Sequence, residues 1–591
     1  MNNKLQKIRQ QLQQEGINAY IIPSTDPHQS EYIANHWKIR EWLSGFTGSA
    51  GTLVITLEDA YLWTDSRYFT QAETQLQGSG IGLMKLQKAH TPEHLYWLKK
   101  HLPIGAVIGY DGRLFSVAQL QQMQEVFESK KTILKEVGDL SAEIWQDRPP
   151  LPLHPIFLHE LQYCGKSSTD KLKEMRAFLD EQKADFQLLS SLDDIAWLFN
   201  IRGNDVAFNP VVYAFALVST EKAVLFIDEQ KVTDTIAEQL QDEGIELQPY
   251  NHIYLQLAAL PAKSTVLFDA QKTNAYLQNA IPSSCTIRTL ANHTTYLKAI
   301  KNKTEIENWR KVMVKDGVAL VKFYVWLDAQ LKEGKEANEW TAAERLHEFR
   351  AEQVEFIGDS FGAISAYRSS GASPHYNPSS TSNKMLQNSG LYLLDSGGQY
   401  LGGTTDITRT VCLGVPTAEE KRDFTLVLKG FIQLSKVVFP IGTNGYQLEA
   451  LAKTALWQYG LNYLHGTGHG VGFCLNVHEG PQSFGSGATA DLSIAFEVGM
   501  VTTIEPAFYK EGNYGIRTEN VVLTTNSVFQ NFLQFEALTL FPIAVDLIDN
   551  RLLTSDEMAW LETYHQKVWN GLSPYLNETE QNWLKWTMGY E

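Results

Sequence analysis

A multidomain α/β architecture is predicted by this sequence, and three observations lead there. Strand, turn and helix signals alternate along the first half of the chain, the pattern of α/β layering. At 591 residues, with 43% hydrophobic and 20% charged, the chain has a globular balance and outgrows a single core. The order of helix, short strand, polar turn, Trp-Leu, glycine turn and apolar strands occurs twice, Trp42-Leu43 being answered by Trp197-Leu198. This reads as a duplicated domain, and three domains are expected in all.

The first, residues 1–153, opens with a helix-period stretch and the apolar run Ala19–Pro23, then a glycine-rich turn (Gly45 to Gly51) feeding the strand LVIT. Pro149, Pro150, Pro152 and Pro155 mark a linker near residue 150. The second domain, residues 154–303, starts with the helical KLKEMRAFLDEQKADF and continues into VVYAFALVS and KAVLFID. The third, residues 304–591, is expected to begin with a helix at Thr304, where Thr304-Glu-Ile-Glu307 has capping-box spacing. A second box, Thr554-Ser-Asp-Glu557, starts an aromatic-rich helical extension expected to pack its Trp and Tyr stripe on the third domain.

Composition excludes several classes. A net charge of −17 opposes binding to nucleic acid, whose affinity rests on basic residues displacing counterions. No apolar run approaches the roughly 20 residues that span a bilayer, and the N-terminus lacks the apolar core of a signal peptide. Cys164, Cys285, Cys412 and Cys474 are scattered without metal or disulfide spacing. A cytoplasmic protein with no membrane partner is expected.

The chemistry concentrates in the third domain. Asp395 ends the run GLYLLD and Asp406 lies in GTTDITRTV, so strands flanking the turn SGGQYLGG bring two carboxylates together. His465 and His469 lie in HGTGHGVG, whose glycines argue against a helix and allow close backbone approach. Glu505 follows the apolar MVTTI and Glu519 precedes NVVL. Each acid alone is an ordinary turn or strand-end residue; a buried one needs neutralising by a metal or by Arg517. Together, two Asp, two Glu and one His supply four negative charges and mostly hard oxygen donors, which suits two divalent cations and metal-assisted hydrolysis. His375 in SPHYNP, His465 and His478 in NVHEGP remain as hydrogen-bond donors or proton carriers.

These motifs, SPHYNP, LLDSGGQYLGGTTDITRTV, HGTGHGVG, TIEPAFY and GIRTEN, together with HQSEYIA, WLSGFTGSAGT, WTDSRYF and LDDIAWLFNIRG, make the chain resemble the aminopeptidase P family of pita-bread metallopeptidases. The resemblance covers essentially the whole chain and is closest to the long, three-domain form. It implies an α+β catalytic domain of pita-bread type preceded by two creatinase-like α/β domains. It implies that Asp406 and Glu519 bridge two ions, that Asp395 completes one site, and that His469 with Glu505 completes the other. His375, His465 and His478 then surround the scissile bond, with Arg517 supporting the carboxylates. Manganese, a homodimer, and removal of an N-terminal residue that precedes proline are also implied. Prolidase-type X-Pro dipeptidase and metal-free pita-bread binding module are the alternatives.

Overall fold

The apolar run after the first helix becomes the centre of a sheet. In the computed structural model, which describes residues 3–88, 91–485 and 494–590, the strand Ala19–Ile22 is buried throughout. It pairs antiparallel with Thr52–Thr56 and parallel with Val107–Tyr110. The full order is Gly82–Lys85, Ala60–Thr64, Thr52–Thr56, Ala19–Ile22, Val107–Tyr110, Ile133–Glu136. A second six-stranded sheet runs Ile245–Gln248, Ala223–Ile227, Ala214–Ser219, Phe186–Leu189, Thr265–Phe268, Thr286–Thr289. Its parallel and antiparallel neighbours match the first sheet strand for strand. Each central strand follows an amphipathic helix, Asn3–Glu15 or Ser168–Gln182. The faint sequence repeat is therefore a repeat of topology.

Compactness divides the chain in two: residues 1–158, 166–207 and 211–294 form one unit holding both sheets, and residues 159–165, 208–210 and 295–591 form the other. Inside the first unit a buried polar knot ties the repeats together. His28 Nδ1 lies 2.8 Å from the Ser190 carbonyl and Nε2 lies 2.7 Å from the Tyr250 hydroxyl, while Tyr213 donates to Asp26 at 2.7 Å. Burial lowers the His28 pKa to about 4, so its ring is neutral at physiological pH.

The second unit opens with the helix Lys303–Lys332, and here the sequence-based start is corrected. Asn302, not Thr304, is the cap. Its side chain accepts from Glu305 N at 3.1 Å, and the Glu305 carboxylate accepts from Asn302 N at 2.9 Å. An Asn two residues earlier satisfies the same reciprocal geometry, and Asn is as strong a cap as Thr. The box at Thr554 forms as expected and starts the helix Ser555–Leu572.

Two antiparallel sheets of this unit carry the acids. One is Ile364–Tyr367, Leu391–Ser396, Ile407–Cys412; the other is Val438–Pro440, Phe532–Ala537, Asn520–Asn526, Val501–Ile504. Their cores are aliphatic and aromatic, with Trp309 fully buried and its indole donating to the Thr404 carbonyl at 2.9 Å. The C-terminal helices pack within the unit: Trp583 stacks on Tyr324 with 5.7 Å between ring centres and donates to Asp328, and Trp560 meets Phe431 edge-on. Among the described residues no helix is long and apolar enough to cross a membrane.

Candidate metal centre

Strand register delivers the acids. Ile504 pairs with Asn520, so the next residue outward on each strand, Glu505 and Glu519, leaves the ladder at the same end. Leu391–Ser396 pairs with Ile407–Cys412 so that Asp395 opposes Thr408, and Asp406 immediately precedes that second strand. The two strands are not a simple hairpin, as the short strands Gly398–Tyr400 and Gly403–Thr404 intervene and pair with each other, and Gly398–Tyr400 pairs on its other side with Phe356–Asp359. Gly397 is required at the crossing, since a Cβ there would lie 2.0 Å from the Thr405 carbonyl. The two sheets are joined at the acids themselves: Glu519 N donates to the Thr408 carbonyl at 3.1 Å.

His469 enters on the two-residue strand Gly468–His469, which pairs with Ser483–Phe484. A Cβ on Gly468 would meet the Thr503 carbonyl at 2.0 Å, so glycine lets this segment press against the strand that leads to Glu505. The backbone N of His469 donates to Thr503 Oγ1 at 3.0 Å, and Glu505 N donates to the Thr467 carbonyl at 2.8 Å.

Asp406, His469 and Glu519 each offer a ligand atom, all within 4.8 Å of one another. His469 Nε2 lies 3.4 Å from Asp406 Oδ2 and 3.6 Å from Glu505 Oε1. Asp395 is held by Arg517, whose Nη2 donates to Oδ2 at 2.6 Å; its other oxygen, Oδ1, is buried without a hydrogen-bond partner among the described residues. Glu519 accepts from Thr408 Oγ1 at 2.7 Å. Four carboxylates thus converge on one imidazole and one guanidinium.

The electrostatics express that imbalance. Burial, then the Asp406, Glu505 and Asp395 carboxylates, push the Glu519 carboxyl well above the usual range. Burial likewise raises Glu505 to about 7 against the opposing pull of His469 and Arg517. Asp395 is raised by burial and by Asp406, with Arg517 opposing. Burial works against a charged His469, yet its hydrogen bond to Asp406 and the Glu505 carboxylate bring it up to about 9. Such a site holds protons in place of cations, and the unpartnered Asp395 oxygen with a hard-oxygen donor set fits divalent metal.

The remaining imidazoles fall around the cluster. The His478 ring stands nearly perpendicular to His469, 4.3 Å between centres, and is exposed. His465 has Nδ1 2.7 Å from the Gly466 carbonyl and Nε2 2.9 Å from the Tyr509 hydroxyl, and Arg517 Nη1 reaches the same hydroxyl at 2.5 Å. His375 occupies a partly buried turn directly after Pro374, whose carbonyl lies 3.5 Å from Arg517 Nη2. Sequence reasoning missed Thr408, which accepts from Arg517 Nε at 3.1 Å and donates to Glu519, and Tyr509, which links Arg517 to His465. Their positions inside the quoted motifs DITRTV and EPAFY were the available signal.

Fold and site together define a class: a hydrolase built around a metal-binding carboxylate cluster, with two α/β repeats ahead of it. Residues 4–149 and 147–305 each match the creatinase/prolidase N-terminal domain, residues 307–526 match metallopeptidase family M24, and residues 531–588 match the C-terminal region of peptidase M24. A probable Xaa-Pro aminopeptidase P of Sordaria macrospora is 39% identical, with 98% of each chain covered. Aminopeptidase P2 of Arabidopsis thaliana is 39% identical over 99% of this chain and 88% of its own. The crystal structure of the X-prolyl aminopeptidase from Caenorhabditis elegans, described as a cytosolic enzyme with a di-nuclear active site, superposes with a TM-score of 0.94 at 34% identity, covering 99% and 98%. The chain belongs to the Xaa-Pro aminopeptidases of metallopeptidase family M24, with creatinase-type N-terminal domains and a pita-bread catalytic domain.

Proposed function

We propose that this metalloaminopeptidase hydrolyses the bond between an N-terminal residue and a following proline, using two divalent ions held by Asp395, Asp406, His469, Glu505 and Glu519. The observation that carries the reading is the convergence of four carboxylates and His469, with Asp395 Oδ1 buried and unpartnered. Asp406 and Glu519 would be shared between the ions, Asp395 would complete the ligands of one, and His469 with Glu505 those of the other. Manganese suits the oxygen-rich donor set better than zinc, which favours thiolate and imidazole cages.

When bound, the ion pair supplies a lowered pKa for the attacking water and polarisation of the scissile carbonyl. The chain's own groups do the rest. Arg517 fixes Asp395 with one nitrogen and Tyr509 with another, and Tyr509 in turn orients His465. His478 and His375, with His465, hydrogen-bond the substrate around the scissile bond and carry a proton to the leaving nitrogen. Proline makes that nitrogen a tertiary amide with φ fixed near −65°, so a peptidase that grips the amide N–H cannot use it.

The division into residues 1–153, 154–303 and 304–591 belongs to the same reading, and the matches to two N-terminal domains and the metallopeptidase family support it. Three large apolar side chains exposed within eight positions, Trp457, Tyr459 and Leu464, support a homodimer. A cytoplasmic location rests on the description of the Caenorhabditis elegans relative. The test is turnover of Arg-Pro-Pro against Arg-Ala-Pro by manganese-loaded protein: strong preference for the first is expected, and equal rates refute proline specificity.

A further inference from the structure

Arg409 follows Asp406 by three positions and stands next to Thr408, on the opposite face of the strand Ile407–Cys412. Its guanidinium is buried, and among the described residues no carboxylate pairs with it. A buried charge without a counter-ion is costly unless every donor is satisfied. Here every donor is. Nε donates to the Pro542 carbonyl at 2.9 Å, and Nη1 to the carbonyls of Thr408 at 3.0 Å and Glu519 at 2.5 Å. Nη2 reaches Asn520 Oδ1 at 2.8 Å, the Phe541 carbonyl at 2.8 Å and the Tyr564 hydroxyl at 3.0 Å.

Tyr564 lies on the C-terminal helix Ser555–Leu572, and its own hydroxyl sits 2.9 Å from the Phe541 carbonyl and 3.1 Å from that of Thr539. One guanidinium thereby fastens the C-terminal extension to the backbone of Glu519. From the other side of the same strand, Thr408 holds the Glu519 carboxylate. Glu519 is gripped at both its carbonyl and its side chain by adjacent residues, and the outer grip ends on Tyr564.

We propose that Tyr564, acting through Arg409, is a positioning residue for the Glu519 carboxylate, so that the C-terminal helices set the affinity of the metal centre. This rests on the reading of Glu519 as a ligand. Partners one shell beyond a metal's ligands typically change its affinity by about 10–100-fold when lost.

The experiment is calorimetric titration of the metal-stripped full chain with Mn²⁺, alongside its melting temperature. Tyr564→Phe removes one oxygen and is expected to weaken binding of at least one ion about ten-fold. Trp583→Phe, which on the same extension loses the bond to Asp328 and part of the stacking on Tyr324, is expected to lower the melting temperature and leave affinity unchanged. Equal affinities for Tyr564→Phe and Trp583→Phe overturn the inference. Arg409→Lys should weaken binding further; should it fail to fold, Tyr564→Phe still decides the matter. Glu519→Gln separates the two levels: wild-type affinity in that variant defeats the ligand reading itself, whereas a loss there without a loss in Tyr564→Phe defeats the positioning role alone.

Discussion

Arg517 and Asp395 form a buried pair at 2.6 Å that leaves the second Asp395 oxygen without a hydrogen bond among the described residues, while the guanidinium extends to Thr408 and Tyr509. One side chain thus orients a carboxylate and a hydroxyl on separate strands. Removing it by Arg517→Met strips the guanidinium from the acid cluster and leaves Asp395 without its ion-pair partner. Breaking a buried pair in this way typically costs about 3–5 kcal/mol, so the metal-stripped variant should melt well below wild type. Added divalent metal should recover much of that loss, read by thermal unfolding with and without manganese.

Glu519→Ala is expected to abolish turnover and to leave the metal-stripped protein at least as stable as wild type. Burial and three neighbouring carboxylates disfavour the ionised Glu519, so its loss relieves repulsion rather than opening a hydrophobic core. kcat and melting temperature, measured on the same preparation, check both halves.

The pH dependence has a definite sign. His469 is held near 9 in the folded chain against an ordinary 6.5, so between those values the folded state binds more protons than the unfolded state. Its stabilising contribution is complete below pH 6.5 and is lost as pH rises through 9. Glu505, raised to about 7 from 4.5, acts in the same direction over the lower window. Metal-stripped protein should therefore lose stability from pH 6 to 9. Metal affinity should rise over the same range, because ions displace those protons. Melting curves and metal titrations across this range read the two trends.

Tyr509→Phe removes the hydroxyl between Arg517 and His465. A neutral bond of this kind is worth about 0.5–1.5 kcal/mol, so kcat should fall by about three- to ten-fold with metal content unchanged. Steady-state kinetics with metal analysis distinguishes this from ligand loss.

Much of the site was legible because its chemistry is written in short segments. Asp406 beside a glycine turn in GTTDITRTV and Glu519 at the mouth of an apolar strand in GIRTEN gained meaning only as part of the set of five, and the duplicated helix-strand order in the first half became two sheets of one topology. Thr408, Tyr509 and Arg409 were not legible. Thr408 and Arg409 act through contacts across more than a hundred residues, to Glu519 and to Tyr564 on the helix Ser555–Leu572, and Tyr509 acts through Arg517 and His465 on other segments. The helix start was misplaced for a related reason: Thr304 and Asn302 are both good caps, and which one closes the box depends on tertiary neighbours, including the bond from Asn302 to the Cys164 carbonyl.

The most direct measurement is the metal content of the purified chain after manganese loading and dialysis, determined by elemental analysis on wild type and on Asp406→Ala. Two ions per wild-type chain and a sharp fall in the variant are the result expected from a pair bridged by Asp406. No retained ion in wild type, or an unchanged content in Asp406→Ala, contradicts the assignment of these five side chains as a dinuclear centre.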